Sequence, residues 1–173
     1  MKGGLSDKDK RTVREIVAEL KKLDGQTLFS YWISAELDEA EIYNALAKRT
    51  REYIWDQRIP ALFEKLARES AEHAEILLRE YKKRYKNEGL VKTNVPSIEI
   101  ELSLDDLVEY IKKGRLDDLI EILMESERIA KDLYTYLAGE TSGDTKELFE
   151  HLARIEEGHY EKLKELRDSL EGT

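Results

Sequence analysis

Glu156 and His159 stand three residues apart, and Glu36, Glu39, Glu127 and His73 fall at spacings that would turn them toward a helix-bundle interior. Stepped alternately by three and four, one run reads Phe29, Trp32, Glu36, Glu39, Tyr43, Leu46, and another reads Ile120, Leu123, Glu127, Ala130, Tyr134, Leu137. The two register at a constant offset of 91 residues. Phe63, Leu66, Ser70, His73, Leu77 match Phe149, Leu152, Glu156, His159, Leu163 in the same way, at an offset of 86. Two of the three histidines therefore occupy equivalent seam positions, and the halves read as products of duplication and fusion. A lone buried carboxylate costs several kcal/mol, against the roughly 5–15 kcal/mol that stabilises a domain. Several of them on one apolar seam need a positive charge among them. A pair of divalent ions supplies it, and carboxylates with imidazoles offer the oxygen and nitrogen donors that iron or manganese accepts.

The elements that must carry these residues are helices. Ala, Leu, Glu, Lys and Arg dominate, and only Ser97–Leu102 hints at a strand. A first amphipathic helix is expected from after Ser6 to about Leu23, with Asp24-Gly25 as its stop. A second runs from about Gln26 to Lys48, and a third from near Asp56, with Pro60 in its first turn, to Asn87-Glu88-Gly89. Residues 89–102 form a linker, and Ser103-Leu-Asp-Asp106 reads as a capping box opening a short helix that Gly114 closes. Long helices over Leu116–Ala138 and Thr145–Leu170 complete the chain, with a break at Gly139–Asp144. The domain organisation expected is an N-terminal helix (1–25) and a four-helix bundle (26–170), the latter made of two repeats, 26–88 and 115–170, joined by a crossover.

Composition removes other classes. With 39% charged and 40% hydrophobic residues, the 173-residue chain is neither a disordered polyelectrolyte nor a membrane protein. The absence of cysteine excludes disulfides, zinc ribbons, iron–sulfur clusters and thiolate iron sites from these residues. A net charge of −9 without a basic stripe argues against nucleic acid as partner. The opening MKGGLSDKDKRT holds no apolar run like that of an export signal, and a cytoplasmic protein is expected.

A seam glutamate followed seven residues later by tyrosine (Glu36/Tyr43, Glu127/Tyr134), alternating with Glu156-x-x-His159, resembles the ferritin-like superfamily in its rubrerythrin-like branch. The resemblance covers the four long helices. It implies an all-α ferritin-like four-helix bundle with a long crossover, plus the extra N-terminal helix and the short helix in the crossover. It also implies a carboxylate-bridged pair of iron ions, an Fe/Mn or other divalent pair being the variant, that reduces peroxide or oxidises ferrous iron with oxygen. Carried over, Glu36 and Glu127 are bridging or terminal carboxylates, Glu156 and His159 ligands, and His73 the matching imidazole. Where the family has glutamate three before the first histidine, this chain has Ser70. Glu39 is the preferred replacement because it lies on the seam. Glu69 reaching in from the seam's edge, and a single-ion site, are the alternatives.

Tyr43 and Tyr134 are either core residues or hydrogen-bond partners of a ligand carboxylate that also protect against stray oxidation. Trp32 and Trp55 are expected to pack, His151 to lie at the surface, and Glu72, Glu75, Glu157 and Glu161 to face water. Peroxide, oxygen or ferrous iron is the substrate implied, with electrons from an external donor protein or from ferrous iron itself. A homo-oligomer is expected, its size open from dimer to cage. The competing readings are an iron-binding or delivery protein, a structural bundle whose site has decayed at Ser70, and a helical interaction module.

Overall fold

The computed structural model describes residues 7–86, 88–95 and 103–172. Six helices account for all regular structure among them: α1 (Asp7–Leu20), α2 (Gly25–Tyr53), α3 (Arg58–Tyr85), α4 (Leu104–Lys112), α5 (Leu116–Glu140) and α6 (Gly143–Glu171). The strand hint over 97–102 lies outside the described residues, as does Asn87 at the expected end of α3. No helix among the described residues is long and apolar enough to cross a membrane.

Local chemistry sets the boundaries. Asp24 caps α2 by accepting from the Thr27 amide at 2.8 Å, which fixes where the chain turns after α1. The helix then runs five residues past Lys48, because no breaker intervenes and the buried Thr50 hydroxyl satisfies itself on the Leu46 carbonyl at 2.8 Å. Pro60 is the third residue of α3, where a missing amide hydrogen costs nothing. Ser103 caps α4 as the sequence predicts, and Gly114, at φ +69°, adopts the left-handed conformation that ends it.

Within each pair, α2 with α3 and α5 with α6, the connections are short and the partners antiparallel. The halves face each other: α3 packs on α6, and across the middle Trp32 of α2 rests on Tyr134 of α5 at 5.4 Å between ring centres. Two apolar clusters close the bundle at its ends. One gathers Trp32, Leu77, Tyr134 and Phe149, and the other Leu46, Phe63, Leu119 and Leu163. Helix α4 inserts Leu107 and Ile111 into the second cluster, so the crossover is part of the core. Ile16 and Leu20 of α1 are buried in the first, so this helix covers that end of the bundle. Trp55 corrects the expectation of packing: in the α2–α3 connection, with no helix above it, it is 98% exposed.

Candidate metal centre

Between the two apolar clusters the bundle interior turns polar. Helix α2 contributes Glu36, Glu39 and Tyr43, α3 contributes Ser70 and His73, α5 contributes Glu127, and α6 contributes Glu156 and His159. All are buried except His73, whose side chain is 17% exposed. Phe29, Trp32 and Leu46 on α2 are buried on either side of the glutamates, so the packing that stabilises the helix also fixes their height.

The His159 imidazole organises the geometry. Its Nδ1 lies 3.6 Å from Glu127 Oε2, 3.9 Å from Glu156 Oε2 and 4.0 Å from Glu39 Oε2. Its Nε2, across the ring, lies 3.4 Å from Glu69 Oε2, which in turn takes a 2.6 Å ion pair from Lys162 at the surface. Glu39, Glu127, Glu156 and His159 each offer one atom to a set lying within 4.8 Å of one another, an arrangement able to hold a metal ion. Beside it, His73 Nδ1 is 3.6 Å from Glu36 Oε2, and the two imidazoles stack at 5.7 Å.

Hydrogen bonds hold two of the carboxylates and leave others bare. The Tyr43 hydroxyl donates to Glu127 Oε1 across the bundle. Ser70 donates to Glu39 Oε2 at 2.9 Å, so the serine supports the carboxylate of the neighbouring helix. Tyr134 packs on Trp32, while neither oxygen of Glu36 accepts a hydrogen bond. Among the described residues, every buried side-chain oxygen or nitrogen without a hydrogen-bond partner belongs to Glu36, His73, Glu127, Glu156 or His159. Each such atom costs about 1–3 kcal/mol in a protein interior, so their concentration in one place calls for a ligand. His151 is exposed, as are Glu72, Glu75, Glu157 and Glu161.

The electrostatics describe how the cluster survives with protons alone. Burial, reinforced by Glu127 and Glu36, pushes Glu39 well above its ordinary 4.5. Burial and the charges of Glu39 and Glu127 do the same to Glu156. Burial would raise Glu127 as well, but Glu156, His159 and Tyr43 outweigh it and hold it at about 2. Burial would lower His159, yet Glu127 and Glu69 carry it up to about 11. His159 and, behind it, Lys162 hold Glu69 at about 2 against its partial burial.

These directions give the metal-free protein a stability maximum at mildly acidic pH. The His159 contribution is full below its ordinary 6.5 and is lost as pH rises toward about 11, and the raised Glu39 and Glu156 lose stability in the same direction above 4.5. The Glu127 and Glu69 contributions are full above 4.5 and are lost as pH falls toward about 2. Between pH 6.5 and 8 the loss from His159 alone amounts to about 2 kcal/mol, a fall of about 4–8 °C in melting temperature. Thermal melts in the presence of chelator measure this; a melting temperature that is flat or rises over that interval contradicts the buried His159–Glu127 pair.

A family model described as rubrerythrin matches residues 28–167. Among solved structures, a hypothetical protein from Pyrococcus furiosus superposes with a TM-score of 0.67 at 24% identity, over 90% of this chain and 96% of that one. At that identity the likeness speaks for the fold. No curated protein matches.

Proposed function

The chain belongs to the rubrerythrin family, and from that membership we propose that it is a di-metal carboxylate oxidoreductase, acting on peroxide or on ferrous iron with oxygen. The observation that supports the reading is the set of buried, unsatisfied atoms of Glu36, His73, Glu127, Glu156 and His159. Their chemistry fits the group: anionic oxygens and neutral imidazole nitrogens suit iron or manganese, and no thiolate is present to favour softer ions. Glu39, Glu127, Glu156 and His159 would hold one ion, and Glu36 and His73 the other.

When bound, a pair of iron ions supplies two electrons and Lewis-acid stabilisation for breaking an O–O bond. The chain's own residues do the rest. Tyr43 fixes Glu127 through Oε1 and leaves Oε2 turned to the His159 side. Glu69 takes the Nε2 side of His159 and presents Nδ1 to the carboxylates, the role an outer partner plays for a ligating imidazole. The apolar clusters above and below close the bundle on either side of the carboxylates and leave His73 as the member at the solvent edge. Peroxide reduction consumes two electrons and two protons and yields two waters. With no cysteine among these residues for a thiolate iron site, the electrons come from outside this bundle, from a donor or from ferrous iron as substrate.

Anaerobic loading with ferrous iron followed by substoichiometric peroxide tests the reading. Two ferrous ions oxidised per peroxide, faster than free ferrous iron under the same conditions, is the expected result. Retention of iron with no acceleration would favour binding and delivery without turnover; failure to retain iron rejects both and favours a structural bundle whose site has decayed at Ser70.

A further inference from the structure

The repeat makes the two halves comparable position by position, and the centre departs from that symmetry in one direction. In the second half, Glu127 is held by Tyr43; in the first, the equivalent Glu36 accepts no hydrogen bond. The carboxylate expected at Ser70 is absent, and Glu39, whose counterpart is Ala130, is the extra one. Ser70 holds Glu39, which lies with Glu127, Glu156 and His159 rather than restoring a set around His73.

The histidines differ in the same sense. His159 is buried and has Glu69 behind its Nε2, with Lys162 behind that. The positions equivalent to Glu69 and Lys162, at the same offset of 86, are Ile155 and Ile76. His73 therefore has no carboxylate at the corresponding place, and, unlike Glu36, Glu39, Glu127, Glu156 and His159, it is partly open to solvent.

We propose that the two metal positions of this chain are unequal, with a tight one at His159, Glu39, Glu127 and Glu156 and a loosely held one at Glu36 and His73, where a divalent ion exchanges with solvent. This rests on the di-metal reading above and adds to it which position turns over. The tight position has three carboxylates and an imidazole with hydrogen-bond or ion-pair support at three of its members. The loose one has one carboxylate and one imidazole, neither supported. Loss of a single supporting group costs a metal site about 10–100-fold in affinity, so the two positions differ by at least about tenfold.

Titration of the metal-free protein with cobalt(II) against a competing chromophoric chelator decides the matter without reference to activity. The expected isotherm has two phases of one ion each, at least about tenfold apart in affinity. His73→Ala is expected to remove the weaker phase and leave the stronger one within about twofold, since the substituted side chain sits at the solvent edge. A single phase of two equivalent ions overturns the inequality and leaves the di-metal reading standing. Saturation at one ion, or loss of the stronger phase in His73→Ala, also overturns it. No saturable binding at all rejects the di-metal reading itself.

Discussion

His159→Ala is expected to do two kinds of damage at once: metal content falls below one ion per chain, and the metal-free protein loses about 3–5 kcal/mol of stability. The second effect follows from what the imidazole does before any ion arrives. Glu127 is fully buried and its carboxyl is held at about 2, with His159 among the groups that offset its burial. Removing the imidazole leaves that charge in the interior without its cationic partner, and strands Glu69 with Lys162 alone. For a chain of this length the loss corresponds to a melting temperature lower by about 6–20 °C. Melts of chelator-treated parent and variant, with elemental analysis of both after growth with iron, provide the check. A variant that keeps full metal content places the centre elsewhere, and one that melts with the parent dissolves the ion pair.

Glu156→Leu is expected to lose metal equally and yet change stability in the opposite direction. Glu156 has both oxygens buried without a partner, and its burial, with Glu39 and Glu127 close by, pushes its carboxyl up. In the metal-free protein its burial is expected to cost more than its support of Glu127 returns, since His159 and Tyr43 still hold that carboxylate, and leucine of similar volume removes the cost. A gain of about 1–4 kcal/mol is the scale for replacing buried polar groups by packed apolar ones. Differential scanning calorimetry in chelator reads the sign directly. A metal-free Glu156→Leu protein less stable than the parent would mean that the support Glu156 gives Glu127 outweighs the cost of burying it. The pair of variants separates site from scaffold: His159 contributes to both, whereas Glu156 is retained at the expense of the fold.

The sequence carried the helices and the stripe on each because packing repeats every three and four residues, and the duplication let each half check the other. That is why Glu36, Glu39, Glu127, Glu156, His73 and His159 could be named from spacing and be found at one level of the bundle. Spacing within a helix says nothing about the pitch between helices. Glu69, at the edge of the seam near His73 by spacing, is found instead on the far side of His159, a residue on another helix. Ser70 was legible as a missing carboxylate, but the donation of its hydroxyl to Glu39 depends on how α2 and α3 cross. Trp55 departs from expectation for a simpler reason: a large apolar side chain implies burial only if some element passes over it, and the α2–α3 connection has none above.

The two tryptophans have a practical consequence. Trp32 is enclosed by Phe149 and Tyr134, one helical turn before Glu36 on the same stripe of α2, while Trp55 stands in water just beyond the end of that helix. By the rise along the helix axis, Trp32 lies about 6 Å from Glu36, and the end of α2 that precedes Trp55 about 26 Å. Their emission is accordingly resolved by colour, blue for the enclosed ring and red for the solvated one. Quenching by a paramagnetic ion falls steeply with distance, so the blue component dims on loading while the red one stays as its internal standard. The molecule thus carries its own optical gauge of occupancy, readable as a ratio in a single spectrum.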